Sequence, residues 1–372
     1  MEYLSELKQD NALVTPLAIE KVERLANRLV LTVGLSLNDD IDILVDYLKR
    51  PGRGMGGSLM LRSAQIFEEN EYTDQELDFA AAIEIMNAAI LMVDDWVDES
   101  DFRKGQTTPH VKYRNQFAES EVLTVERSQH LADSQAIQLA VLAMHMAGAV
   151  VNEKEQPLAA RQFFSDNLIQ ITSGLMLETT VLSRPGIQNK TAVKRVYTNK
   201  TGRYSVANPV GVGALAAGAD EATFRKLQEA SISIGLGFQY QDDLMGIFGN
   251  PEATGKPNKD DIEEGFYTAI VNEAKSRMSS SDFEALSIYH GKKISDSQHK
   301  EYINLLDRYC IGEHVARLAV AKFELAGNQL DELWQTEWNI YFKVYIESLI
   351  GFLMRKITYR VKRSIKLFAI TS

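Results

Sequence analysis

Apolar residues recur at three- and four-residue spacing through most of the chain, and the period-two alternation of a half-buried strand is hard to find. Only 8 prolines interrupt 372 residues, so little breaks these helical runs. The spacing predicts an all-α chain with helices over 17–34, 40–50, 57–68, 75–100, 127–150, 156–182, 191–199, 221–247, 260–279, 300–326 and 329–365. Two of these helices lack a polar face. FAAAIEIMNAAILMV (79–93) carries one carboxylate, Glu84, and one amide, Asn87, and SISIGLGFQYQ (231–241) carries no charge. Helices apolar on all sides are enclosed by others, so both are expected to be central. Each ends in an aspartate pair, Asp94/Asp95 and Asp242/Asp243.

Glycine, proline and asparagine gather at RPGRGMGGS (50–58), FRKGQTTPH (102–110), LSRPGIQNK (182–190) and GNPEATGKPNKDD (249–261), which read as loops. No repeat or linker-like tract divides the chain. The expectation is one domain over 1–355, followed by a basic extension over 356–372. With 40 Lys+Arg against 51 Asp+Glu the formal charge is −11, which argues against a nucleic acid held by bulk basic charge. An anionic ligand would need locally gathered cations or a metal. The single cysteine, Cys310, excludes an intrachain disulfide, and no Cys/His cluster has zinc spacing. The stretch MEYLSELKQD has neither the basic nor the apolar region of a secretory signal, and the expected location is the cytoplasm.

The candidate chemistry lies where the two apolar helices end. Asp94 and Asp98 are four residues apart and share a helix face, which Asp101 would extend if the helix persisted. Like charges at this spacing repel, so either the cluster faces water or cations are near. Arg103 and Lys104 follow at once. The second cluster repeats the pattern, FQYQDDLMGIFGNPEATGKP, with Lys256 in its loop. A calcium hand loop is excluded by the missing alternation of acidic positions and the missing turn glycine. Magnesium, by contrast, takes one or two carboxylates and completes its shell with phosphate oxygens and water. The glycine-rich 52–57 is no nucleotide loop, because the Lys-Ser/Thr ending is absent.

Taken in order, DDWVD with RKG, then Lys200-Thr201, then Phe238-Gln239 with QDD and GKP, the chain resembles the trans-isoprenyl diphosphate synthases, or polyprenyl synthetases, over about residues 20–355. The resemblance implies the all-α isoprenoid synthase fold, with aspartate-rich motifs on opposite walls of a deep cavity. It implies a Mg²⁺-dependent prenyltransferase that joins isopentenyl diphosphate to an allylic diphosphate, with three metal ions bound alongside the diphosphate. Asp94, Asp98 and Asp242 match metal ligands, and Asp95 and Asp243 match their close partners. Arg103, Lys200 and Lys256 match cations on the allylic diphosphate, and Lys104 matches one on isopentenyl diphosphate. Thr201 and Gln239 match residues flanking the forming carbocation, with Phe238 beside them. A homodimer is the family expectation.

The chain departs from the family on the isopentenyl side. The usual GGKxxR reads PGRGMGGSLMLR, so that Arg53 stands for the lysine in one alignment and Arg62 falls one residue out of place in the other. Asn87 replaces a usual His or Gln, Gly246 replaces the last aspartate of the second motif, Gly265-Phe266 replaces a Gly-Lys, and GLMLE (174–178) replaces GQxxD. Three functions therefore stay open: chain elongation, a terpene cyclase or other enzyme of a single allylic diphosphate, and a non-catalytic partner subunit. In the family, side chains a turn or more before the first motif limit product length. Here these are Ile90, Ala89 and then Met86; with no aromatic at the first two, a product of C20 or longer is expected. The basic C-terminus, with Arg355, Lys356, Arg360, Lys362, Arg363 and Lys366, is a candidate for covering the isopentenyl site, for weak contact with an anionic membrane surface, or for solvation alone. His130, His145, His290, His299 and His314 sit at no catalytic spacing, and His110 reads as a loop-positioning residue.

Overall fold

The computed structural model describes the chain apart from residues 1, 34–36, 51–53, 68–69, 120–121, 154–156, 184–187, 250–257, 334–339 and 362–372. Its contacts gather into two compact units. One comprises Met1–Asn167, Asn208–Phe224 and Glu337–Phe342, and the other Leu168–Ala207, Arg225–Thr336 and Lys343–Ser372.

The first unit holds α1 (Glu2–Val33), α2 (Asn38–Leu48), α3 (Met55–Ala64), α4 (Asp74–Val97), a hairpin of β1 (Phe102–Arg103) and β2 (Gln106–Thr107), α5 (Pro109–Ala118), α6 (Val125–Val151), the first part of α7 (Leu158–Ser183) and α9 (Asn208–Ala216). As its all-round apolar sequence predicts, α4 is the centre, packed against α1, α3, α6 and α9 and buried at every position from Asp78 to Ile90. Each large aliphatic side chain enclosed this way contributes about 1.5–3 kcal/mol. A capping box starts the helix. Glu76 N–H donates to Thr73 Oγ1 at 3.2 Å while Thr73 N–H donates to Glu76 Oε2 at 2.7 Å. Lys21 of α1, 2.5 Å from Asp78 of α4, adds an ion pair inside the unit.

The second unit holds the rest of α7, α8 (Lys190–Tyr197), a π-helical segment (Thr198–Ala207), most of α10 (Glu221–Phe248), α11 (Asp260–Glu263), α12 (Ala269–Arg277), α13 (Ser280–Ser287), α14 (Asp296–Arg308), α15 (Ile311–Asp331) and most of α16 (Ile340–Val361). Its apolar α10 is buried continuously from Ser233 to Gly237, against Phe323 of α15 among others.

Several elements differ from the sequence expectation. Helix α1 begins at Glu2 and runs through Pro16, and α5, α9 and α13 form where no helix is expected. The predicted 260–279 helix is broken between Glu263 and Ala269, where Gly265 takes φ +73°. The predicted 300–326 helix is two helices that meet at Cys310, which takes φ 52°.

Candidate functional site

The end of α4 determines the first cluster. Asp98 N–H donates to the Asp94 carbonyl at 2.9 Å, so the helix persists through Asp98 and keeps the two carboxylates on one face. It then stops without glycine. Glu99 takes the left-handed conformation, at φ 50°. Glu99 N–H then bonds to Trp96 O at 3.3 Å and Ser100 N–H to Asp95 O at 2.9 Å, a Schellman closure. A left-handed glutamate stores about 1 kcal/mol of strain. The chain is turned off the helix before Asp101, which therefore does not extend the acidic face.

It returns through the hairpin, where Phe102 pairs with Thr107 and Arg103 with Gln106. Lys104 and Gly105 form a two-residue turn with φ 55° and 75°, both positive, as a type I′ turn requires. The loop expected at 102–110 is thus an ordered hairpin that carries Arg103 back to the carboxylates. Arg103 Nε donates to Asp95 Oδ1 at 2.5 Å and Nη2 to Asp94 Oδ2 at 3.3 Å. Tyr47 of α2 donates to the other Asp95 oxygen at 2.6 Å.

The adjacent aspartates are therefore unlike. Asp95 is 0% exposed and both its oxygens are engaged by protein. Burial pushes its carboxyl above the ordinary range, against the pull of Arg103 and Tyr47. Burial also works against the Arg103 charge, but the Asp95 and Asp94 carboxylates hold it protonated. Asp94 and Asp98 are half-buried, and Lys104 is exposed at the hairpin tip. Asn87, Ala89 and Ile90 lie buried on α4 before the aspartates.

In the second unit, glycines bring the site residues together. A Cβ on Gly174 of α7 would stand 2.8 Å from the Lys200 nitrogen, so only glycine permits that approach. Four residues on, Glu178 pairs with Lys200 Nζ at 2.6 Å. Likewise a Cβ on Gly235 of α10 would stand 2.6 Å from Gly202 Cα, and four residues on Gln239 accepts a hydrogen bond from Thr201 Oγ1. Gln239 Nε2 donates to Asp243 Oδ1 at 3.0 Å, while Tyr197 Oη and Ala269 N–H both donate to Asp243 Oδ2, the latter at 3.1 Å. Burial pushes the Asp243 carboxyl up to about 7, despite these donors. Asp242 beside it is exposed and Phe238 is half-buried. Each unit thus has one sequestered aspartate beside a less buried one. Lys200 and Thr201 lie at the start of the π-helical segment, a backbone form common at functional sites.

Arg53, Lys256 and the side chains of the basic C-terminal extension lie outside the described residues. Tyr47 and Tyr197 belong to the clusters but carry no sequence signal, since nothing in a chain ties Tyr47 to an aspartate 48 residues on, whereas Glu178, the partner of Lys200, is the acidic residue that closes GLMLE. Among the described residues no group of three or more carboxylate, imidazole or thiol side chains converges as a protein-only metal cage requires. Two carboxylates on one helical turn suit a hard cation that finds its remaining ligands on a phosphate and in water.

The family model described as polyprenyl synthetase matches residues 40–306, most of the chain. The chain belongs to the polyprenyl synthetase family. Among similar polyprenyl synthetases, the geranylfarnesyl diphosphate synthase of Aeropyrum pernix is 27% identical over 231 residues, 60% of this chain and 66% of that one. The geranylgeranyl diphosphate synthase of Sulfolobus acidocaldarius is 28% identical over 191 residues, 51% of this chain and 54% of that one. The chain thus matches between half and two thirds of the length of these two enzymes. A crystal structure of geranylgeranyl pyrophosphate synthase from Corynebacterium glutamicum, complexed with isoprenyl diphosphate and magnesium, superposes with a TM-score of 0.81 at 22% identity, covering 92% of this chain and 98% of that one. The fold is therefore the all-α isoprenoid synthase fold.

Proposed function

We propose that this polyprenyl synthetase is a Mg²⁺-dependent prenyltransferase that adds isopentenyl diphosphate to an allylic diphosphate, giving an all-trans prenyl diphosphate of C20 or longer and releasing diphosphate. The observation that carries the reading is the division of labour in DDWVD. Asp94 and Asp98 stand half-buried on one helix face, and Asp95 is fully withdrawn to hold Arg103 beside them. Asp94 and Asp98 in the first cluster and Asp242 in the second are the proposed metal ligands, for three ions. Bound Mg²⁺ would neutralise the charge that builds on the leaving diphosphate. Arg103 adds a fixed cation, and such preplaced charge acts most strongly as the carbon–oxygen bond ionises. Thr201 and Gln239, linked to each other and to Asp243, present fixed dipoles to the allylic cation. The buried apolar length of α4 keeps water from the cation until the second substrate's double bond attacks.

A homodimer is part of the proposal. It is supported by the outward stripe of α6, where Val141, His145 and Ala149 are exposed at helical spacing in the mostly apolar second half of the helix. One observation favours a second reading, single-substrate chemistry. Arg62, which falls one residue from the family's isopentenyl cation in one of the two alignments, is committed to Asp10 through Nε and Nη2, both at 3.0 Å, and Ser58 donates to the same carboxylate. Incubation with Mg²⁺, labelled isopentenyl diphosphate and C5, C10 and C15 allylic diphosphates separates the two. Elongation incorporates label. Consumption of an allylic diphosphate without label in any product establishes the single-substrate reading instead.

A further inference from the structure

Helix α2 carries none of the family's motifs, yet its last turn and the two residues that follow it reach the first cluster and its hairpin at two points. Tyr47, fully buried, donates to Asp95 Oδ2 at 2.6 Å. Arg50, 2% exposed, lies over the Tyr47 ring, 4.2 Å from its centroid, and its Nη2 donates to the Thr107 carbonyl at 2.6 Å. The two contacts hold the two strands of one hairpin. Tyr47 acts through Asp95 on Arg103 of β1, and Arg50 acts directly on β2. Asp46, one turn back, is 3.4 Å from Arg50 Nη2 and accepts from Lys112 Nζ at 2.6 Å, which ties the same turn to α5.

Arg50 is costly where it stands. Its Nε and Nη1 are buried and find no hydrogen-bond partner among the described residues. Two unused donors on a buried cation cost stability, which its bonds to Thr107 and Asp46 offset in part. What Arg50 achieves is geometric: one strong bond to the hairpin and a flat cover on the ring that orients Asp95.

We infer that Tyr47 and Arg50 are positioning residues that set the Arg103 guanidinium for the substrate's diphosphate, Tyr47 by orienting Asp95 and Arg50 by fixing the hairpin. The inference rests on the proposed role of Arg103 as a diphosphate ligand. Calorimetric titration of inorganic diphosphate with Mg²⁺ tests it on the wild type, Tyr47→Phe, Arg50→Met, Arg103→Gln and the Tyr47→Phe/Arg103→Gln double variant.

Each single variant is expected to bind about tenfold more weakly, the size of one charge-assisted hydrogen bond. Arg50→Met should lose affinity even when binding is measured far below its thermal midpoint, where all of the variant is folded, which a merely structural residue would not do. The double variant should bind no more weakly than Arg103→Gln alone, because Tyr47 acts through Arg103. If Tyr47→Phe and Arg50→Met bind as the wild type does, or if the losses multiply in the double variant, the inference is overturned. Should Tyr47→Phe not fold, Arg50→Met decides alone. A wild type that fails to bind diphosphate overturns the functional reading itself, an outcome distinct from unchanged variants beside a binding wild type.

Discussion

Asp94 and Asp95 are neighbours with unequal predicted responses to the same substitution. Asp95→Asn removes the charge from a side chain that is 0% exposed and whose two oxygens receive Tyr47 at 2.6 Å and Arg103 at 2.5 Å. The amide oxygen still accepts from Tyr47, but the Arg103 Nε loses its carboxylate and keeps only Asp94, 3.3 Å from Nη2. One lost charge-assisted bond costs about 1.5–3 kcal/mol, and leaving the cation buried beside an amide adds to it, so the expected loss is about 3 kcal/mol. Asp94→Asn weakens a longer contact, 3.3 Å from Arg103 Nη2, on a side chain less buried than Asp95, and should cost about 1 kcal/mol. Urea unfolding of both variants, at unchanged m-value, gives the two losses from the shift in midpoint. Diphosphate binding with Mg²⁺ should fall in both. Equal stability losses, or an Asp95→Asn loss under ~1 kcal/mol, would refute the assignment of Asp95 as the holder of Arg103.

Ala89→Phe places an aromatic ring on the buried face of α4 before the aspartates and should shift products to shorter chains, at about 1–3 kcal/mol of overpacking; an unchanged product distribution removes Ala89 from the tail path. Val141→Glu on the exposed stripe of α6 should convert a dimer to monomers by light scattering, and an unaltered mass sinks that face as the interface. His110 and His290 are both held near 4, well below the ordinary 6.5, by burial, with Arg114 adding to the shift at His110. Their folded values are depressed, so stability is full above pH 6.5 and falls as the pH drops toward 4. A midpoint for His290→Asn that falls as steeply as the wild type's over that window would show that His290 does not contribute.

The sequence made the centre of the fold legible because α4 and the middle of α10 are apolar on every side, a pattern only enclosure explains. It made the aspartate pairs legible because their spacing and the cations after them repeat along the chain. Terminations were harder. Left-handed Glu99 and Cys310 end helices where glycine would have announced the break, and the hairpin turn at Lys104-Gly105 was hidden in a stretch that reads as a loop. Of the supporting residues only Glu178 has a motif position, and that position does not reveal its pairing with Lys200, 22 positions away. Tyr47 and Tyr197 matter through hydrogen bonds to residues 48 and 46 positions away, and side-chain type alone does not reveal such a partner.

The central claim is that Asp94, Asp98 and Asp242 serve a metal-assisted prenyl transfer with two substrates. Product mass from the purified protein with Mg²⁺, isopentenyl diphosphate and a C15 allylic diphosphate tests it most directly. The expected product is a prenyl diphosphate of C20 or longer, lost when Asp94 is replaced by Asn. Recovery of the C15 diphosphate unextended, or of a C15 hydrocarbon with no isopentenyl unit added, would contradict it.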